Sequence, residues 1–128
     1  MTSANLPVDA LCSTLELYER ALANRNQELV KTPLTNLIAD KFEEVGQSGK
    51  RITQKDVLGW LASTDNLPDI ELRNFRFEVI SNNSVLVKYE SFSRRGLVYR
   101  SSLWIKKIEN WQIIYHQGTH AAKGSGEN

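Results

Sequence analysis

The sequence has little of several features that would place it in a specialised class. It contains one cysteine, Cys12, which excludes an internal disulfide and favours a cytoplasmic location. Its apolar runs are only a few residues long, which is too short for a membrane-spanning helix. The N-terminal segment lacks a basic stretch followed by an apolar one, so no secretory signal is expected. The net charge is +1, which argues against a general nucleic-acid-binding face.

The composition that remains is that of an ordinary globular domain. Hydrophobic residues make up 41% of the 128 positions and charged residues 24%. This length is enough for one hydrophobic core and too short for two. We therefore expect one domain over residues 1–122 and a disordered, glycine-containing tail over residues 123–128.

The spacing of apolar residues predicts helices in the first half of the chain. From about Pro7 to Asn24 they recur at steps of three and four, which is typical of a helix with one buried side. The stretch "TPLTNLIA" predicts a second, short helix with Thr32 as its N-cap, and "KFEEVG" predicts a strand. Another helix begins at Thr53, because Asp56 three residues later completes a capping box.

From Ile70 onward the apolar period changes to two. The stretches "IELRNFRFEVI", "SVLVKYESF", "LVYRSSLWIKKI" and "WQIIYHQG" predict four strands, and short polar turns separate them. Helices followed by an antiparallel meander predict an α+β domain, with three helices packed on one face of a curved sheet.

The turn positions predict which side chains share a face of this sheet. A turn at Glu109-Asn110 pairs Leu103 with His116, whereas a three-residue loop would reverse the faces. The face expected to meet the helices carries Phe75, Phe77, Val79, Leu86, Phe92, Tyr99, Ser101, Leu103, Ile105, Ile114 and His116. The opposite face carries Arg76, Val85, Val87, Tyr89, Arg100, Ser102, Trp104, Ile113, Tyr115 and Gln117.

The second of these faces is too apolar to be left in water. An antiparallel sheet with apolar side chains on both faces usually covers both of them. A chain of this length has no further element to do so. We therefore expect a homodimer built sheet to sheet, with Tyr89, Arg100, Trp104, Tyr115 and Gln117 at its interface.

Two stretches of this sequence resemble the nuclear transport factor 2-like superfamily. They are "LIADKFEEVGQSGKRIT", which follows two predicted helices, and "SSLWIKKIENWQIIYHQGTH" near the end. The second holds a tryptophan strand, a short turn, another tryptophan and a histidine, here Trp104, Glu109-Asn110, Trp111 and His116. The resemblance covers about Val8 to His120 and is greatest to small bacterial branches of unassigned function.

The resemblance implies a cone-shaped α+β barrel with a pocket between the helices and the concave face of the sheet. It also implies frequent dimerisation through the convex face. The superfamily includes ketosteroid isomerase-like enzymes as well as binding and adaptor domains, so the fold leaves the activity open. Tyr18 resembles the pocket tyrosine of the isomerases, but Ser101 stands where they carry a second acid. Steroid isomerase activity is therefore not expected.

Within such a pocket, His116 and Glu44 are the candidate catalytic residues. Imidazole titrates near neutrality, and Glu44 can orient it or act as a base. Alternation with Phe42 favours Glu44 over Glu43 as the inward acid without deciding between them. The alternative is a hydrogen-bonded core histidine beside a carboxylate that a basic group neutralises. Tyr18, Trp60, Phe75, Phe77, Tyr99, Ser101, Leu103 and Ile114 are expected to line the pocket, with ordinary core packing as the alternative.

No metal or other cofactor is predicted. His116 and His120 lie at a strand end with Gly118 between them, and no third ligand of the kind zinc requires accompanies them. The function expected is therefore a pocket for an unknown small hydrophobic or amphipathic molecule, with or without acid–base catalysis. The alternative is a non-catalytic dimeric module that binds a ligand or another protein.

Overall fold

The computed structural model describes residues 7–46, 48–65 and 67–122. The predicted disordered tail lies outside the described residues. Helix α1 spans Val8–Ala23, and helix α2 spans Gln54–Ala62. The predicted capping pair of α2 is confirmed, because the Thr53 backbone N–H donates to the Asp56 carboxylate at 2.9 Å.

In the described part of the chain, six strands form a single sheet. They are β1 Ile38–Val45, β2 Arg51–Thr53, β3 Glu71–Ser81, β4 Ser84–Ser93, β5 Gly96–Lys107 and β6 Asn110–His120. Their spatial order is β2-β1-β6-β5-β4-β3, in which β1 pairs with β6 in parallel and every other pair is antiparallel. The four-stranded meander predicted from the twofold period is confirmed, and the fold is α+β with a mixed sheet.

The prediction of three helices is wrong at the second of them. The stretch that follows Pro33 forms a single 3-10 turn, Leu34–Leu37, and strand β1 begins at the next residue. Four residues close too few hydrogen bonds to sustain an α-helix. A similar turn spans Gln27–Leu29, and the short strand β2 was not predicted.

A β-bulge reverses the faces predicted for β4 and β5. It interrupts the β3–β4 pairing between Val79 and Ser81, so Val79 lies opposite Val85, whereas regular pairing continued from Ser81–Ser84 would place Val79 opposite Leu86. A bulge adds one unpaired residue, which the alternation of the sequence does not reveal. The helices therefore cover the face that was assigned to the partner subunit. Its buried or half-buried members are Val85, Val87, Tyr89, Arg100, Ser102, Trp104 and Ile113.

A second bulge returns His116 to the inner face. The β5–β6 turn lies at Ile108-Glu109, one residue earlier than predicted, and it pairs Trp104 with Ile113. The register then shifts between Leu103 and Trp104, so Ser102 lies opposite His116. His116 is buried as expected, but its neighbour on β5 is Ser102 instead of Leu103.

The hydrophobic core lies between α1 and the inner face of the sheet. Trp104, Leu15, Val85 and Val87 are fully buried in it, and the Tyr18 ring lies 5.7 Å from that of Trp104. Glu19 is buried among these apolar groups and is 2% exposed. Among the described residues, neither helix is long and apolar enough to cross a membrane.

Candidate functional site

A cavity of about 370 Å³ lies between the two helices and the inner face of the sheet. Most of its wall is apolar and comes from α1, α2, β1 and β6. The apolar lining is Leu22, Ala23, Ile38, Phe42, Ile52, Val57, Trp60, Ile70 and Ile113. The polar lining is Glu19, Glu44, Asp56, Tyr89, Arg100 and His116. An apolar cavity with a few convergent polar groups is the usual form of a small-molecule site.

The buried Glu19 carboxylate is held by donors from three neighbouring strand residues. The Tyr89 hydroxyl donates to its Oε1 at 2.8 Å, and the Trp104 indole N–H donates to its Oε2 at 2.8 Å. Ser102 also hydrogen-bonds to it. Burial raises the pKa of Glu19, and these hydrogen bonds oppose that rise because they stabilise the ionised form. The carboxylate thus has the partners that a buried charge requires.

The same network continues from Ser102 to His116 and Arg100. The Ser102 Oγ lies 2.7 Å from the His116 Nδ1, and the Arg100 Nη1 lies 3.2 Å from the His116 Nε2. Arginine can only donate, so Nε2 accepts and a neutral ring carries its proton on Nδ1. That proton goes to the Ser102 oxygen, which leaves the serine hydroxyl free to donate to Glu19. Every hydrogen bond in this network from Glu19 to Arg100 then has one donor and one acceptor.

The environment keeps His116 neutral. Burial and, to a lesser extent, the positive charge of Arg100 together lower its pKa to about 3. The Arg100 guanidinium is held in turn by the Ser91 hydroxyl, which lies 2.7 Å from its Nε. His116 and Ser91 therefore fix the direction of the Arg100 side chain.

Glu44 lies beside this network at the cavity wall. It occupies the inner face of β1, two residues from Phe42, and its partner in the parallel β1–β6 pairing is His116. Burial raises its pKa, and the charge of Arg100 opposes that rise. Glu43 points away and forms an ion pair with Arg51 at 3.8 Å. Of the two acids left open by the sequence, Glu44 is the one at the cavity.

The structure brings together three of the residues predicted for the site. His116, Glu44 and Trp60 line the cavity, and Trp60 lies at its mouth, 41% exposed, with the Arg25 guanidinium 4.7 Å from its ring. The other predicted pocket residues are not among the described residues that line the cavity.

The remaining predicted pocket residues lie in the core or on the outer face. Tyr18, Phe75 and Phe77 pack against the core, and Phe75 stacks on Tyr89 at 4.7 Å. Tyr99, Ser101 and Leu103 lie on the outer face of β5, and the buried residues of that strand lie on the inner face. The Ser101 hydroxyl donates to the Gln117 side chain at 2.8 Å. Ile114 lies at the second bulge. The outward positions of Tyr99, Ser101 and Leu103 result from the reversed face of β5.

The predicted interface changes for the same reason. Trp104 and Tyr89 are 0% and 3% exposed inside the single chain, and Arg100 lines the cavity, so their assignment to a partner subunit is wrong. Tyr115 and Gln117 remain on the outer face, as predicted, and Tyr115 is 39% exposed.

Sequence reasoning missed Glu19 and the inward direction of Arg100. A signal for Glu19 was present, since Leu11, Leu15 and Glu19 are spaced by four and share one side of α1. An acid on the apolar side of a helix indicates a buried carboxylate with partners. Arg100 had no comparable signal, because its direction depends on the bulge in β3.

No protein-family model and no curated protein matches the sequence, but solved structures do. A nuclear transport factor 2-like protein from Cytophaga hutchinsonii superposes with a TM-score of 0.70 and 16% identity, covering 88% of this chain and 97% of its own. One from Rhodospirillum rubrum, described as of unknown function in nutrient uptake, gives 0.65 and 14%, covering 88% and 98%. The chain has a nuclear transport factor 2-like fold.

A third similar structure is the association domain of calcium/calmodulin-dependent protein kinase II from Caenorhabditis elegans. Its TM-score is 0.63 at 14% identity, and the match covers 86% of this chain and 92% of that domain. At such identities the likeness concerns the fold alone. The cone-like α+β fold and its pocket-type arrangement agree with what the sequence resemblance implied.

Proposed function

We propose that this nuclear transport factor 2-like protein binds a small, mainly apolar molecule in the cavity between α1, α2 and the sheet. The observation that supports this most is the composition of the cavity wall, which is apolar except for Asp56 and one cluster of fixed polar groups. Such a wall supplies affinity through burial of apolar surface, while the cluster orients the ligand. Arg100 is the main orienting group, because Ser91 and His116 hold its guanidinium at the cavity.

The hydrogen bonds favour binding over proton transfer by His116. Both ring nitrogens are engaged, and the low pKa of His116 keeps it far from the range in which imidazole shuttles protons at neutral pH. We therefore assign His116 a positioning role toward Arg100.

Glu44 supports a second candidate, an enzyme in which this carboxylate transfers a proton. Burial raises the pKa of Glu44 at the cavity wall, and a raised pKa favours a carboxyl as a general acid or base. In that case the ligand would carry its exchangeable proton within hydrogen-bond reach of Glu44. Identification of the ligand would separate this candidate from pure binding.

The binding proposal can be tested with the neutral fluorescent probe N-phenyl-1-naphthylamine. Its fluorescence should rise on addition of the protein, since the rings leave water for the cavity. The variant Val57→Trp places an indole in the cavity wall. It should lower the affinity for the probe at least about tenfold, because the indole competes for the same volume.

The matched control is Lys55→Trp, which adds the same indole to an exposed position of α2. It should bind the probe as the unchanged protein does, and thermal denaturation should show both variants folded. Absence of probe binding, or equal losses in the two variants, would refute the proposal.

We further propose that the protein self-associates through the outer face of the sheet. On this face Leu86 lies directly opposite Leu103, Ile105 follows two residues on, and Tyr99 and Tyr115 are 40% and 39% exposed. A patch of this kind on a sheet is usually covered. Similarity to a domain described as an association domain supports the same proposal. A homodimer is the simplest closed form.

A further inference from the structure

A second cavity lies directly beyond the first along the inner face of the sheet. Its volume is about 450 Å³, and Arg100 lines both cavities. Side chains on one face of a strand recur every two residues. Glu44 and His116 line the first cavity, and the residues two positions further, Gly46 and Gly118, line the second. The two cavities are therefore consecutive stretches of one inner surface, with Arg100 at their junction.

Two of the residues that line this second cavity, Gly46 and Gly118, are glycines. A Cβ at Gly46 would meet no atom within 4 Å, so the space above that residue is open. A Cβ at Gly118 would lie 3.0 Å from the Arg100 Nη1, which shows that the guanidinium lies close over the Gly118 backbone. The absence of a side chain at Gly118 is what lets Arg100 lie against the sheet between the two cavities.

The charge of the second cavity differs from that of the first. Arg95, Arg100 and His120 line it, and none of its described lining residues is acidic. The first cavity contains the carboxylates of Glu19 and Glu44. Within Arg100, Nε and Nη1 are used by Ser91 and His116, while Nη2 makes no hydrogen bond to the described residues. That nitrogen retains donors for an incoming anion.

We propose that this second cavity binds the anionic head group of an amphipathic ligand whose apolar part occupies the first cavity. This inference rests on the proposed function and assigns the ligand its chemical class, an apolar chain that ends in a carboxylate or a phosphate. Arg100 contacts the head group from the junction, and Arg95 contacts it from the β4–β5 turn. Guanidinium groups suit both anions because their N–H donors match two oxygens at once.

Calorimetric titration with 1-octanol, octanoate and octyl phosphate tests the assignment. The three probes share one chain and differ in the head group. We expect at least one anionic probe to bind about tenfold more tightly than octanol, as a charge-assisted hydrogen bond contributes. The better of octanoate and octyl phosphate identifies the head group. The variant Arg95→Gln should lower the affinity for that probe about threefold, as expected for an exposed charge, and should leave the affinity for octanol unchanged.

Arg94→Gln is the matched control, because Arg94 precedes Arg95 on the same exposed turn and does not line the cavity. Gly46→Val is a second variant, which fills open space at a position free of positive φ. It should weaken the anionic probe and spare octanol. The proposal is overturned if octanol binds as tightly as both anions, or if Arg94→Gln and Arg95→Gln have equal effects. If none of the three probes binds, this assignment fails, whereas the proposed function fails only if the neutral fluorescent probe does not bind either.

Discussion

At the scale of single residues, the directions of the hydrogen bonds among the polar groups inside the cone follow from the fact that arginine can only donate. Arg100 makes the His116 Nε2 an acceptor, which places the imidazole proton on Nδ1 toward Ser102 and leaves the Ser102 hydroxyl for Glu19. The positive charge of Arg100 and the negative charge of Glu19 thus lie at the two ends of one connected network. This arrangement allows two ionised groups to lie near an apolar core.

This network predicts the titration behaviour of His116. Its pKa is lowered by burial and by Arg100, so the ring should stay neutral from about pH 8 down to about pH 5, where an unperturbed histidine becomes protonated. Long-range ¹H–¹⁵N correlation spectra should show the proton on Nδ1 and an unprotonated Nε2 throughout that range. In Arg100→Gln the neighbouring positive charge is gone, so the ring should titrate at higher pH. A wild-type His116 that becomes protonated near pH 6.5 would contradict the network.

Some of these residues could be predicted from sequence and others could not. The burial of Glu19 follows from its spacing with Leu11 and Leu15, because helix periodicity is local. The inward direction of Arg100 depends on which face of β5 meets the helices. The bulge at the end of β3, far from Arg100 in the sequence, determines that face. The prediction that His116 faces inward assumed regular pairing throughout. It agrees with the structure because two bulges, one at the end of β3 and one between β5 and β6, have opposite effects on its face.

At the scale of elements, the strands could be predicted far better than their faces. Alternation marked β3 to β6 within a few residues, and it grouped the buried side chains of β4 and β5 correctly with one another. What it could not give was the relation of that group to Phe75 and Phe77 on β3, because the bulge at the end of β3 adds one residue. A shift of one residue exchanges the two faces of every strand that follows.

The β5–β6 turn carries a strained residue whose replacement should stabilise the protein. Ile108 has a φ of 54° and is 91% exposed, so a β-branched side chain adopts the left-handed conformation without burial in return. Ile108→Gly should raise the free energy of unfolding by about 0.5–1 kcal/mol, the relief of this strain less the added chain entropy of glycine. Urea denaturation measures the change.

The neighbouring turn residue supplies the control for that comparison. Glu109 has no positive φ, so Glu109→Gly brings only the entropic cost of glycine and should lower stability by about 0.5 kcal/mol. If Ile108→Gly is destabilising as well, the Ile108 side chain makes a stabilising contact in solution and the strain argument is wrong.

At the scale of the whole molecule, one sheet supplies two different surfaces. Strand β5 shows this most directly, since Ser102 and Trp104 face the cavity and core while Leu103 faces outward between them. The inner surface is closed by α1 and α2 and holds the network that orients Arg100. The outer surface has no described element over it, and it carries the apolar pair of Leu86 and Leu103. The ligand site and the self-association surface are therefore back to back.

This division predicts that a charge at Leu103 separates the subunits without unfolding them. In Leu103→Glu, an unpaired carboxylate would be buried between the two outer faces, which costs several kcal/mol, whereas in the monomer it would meet water. Sedimentation velocity should show the unchanged protein as a dimer and Leu103→Glu as a monomer, with a near-native circular dichroism spectrum. Leu17→Glu makes the same change at a 39% exposed position on α1, away from the sheet, and should remain dimeric. A monomeric wild-type protein, or dissociation of both variants alike, would show that the outer face is not the contact. Because residues of a single chain line the cavity, the monomeric variant should still bind the neutral probe.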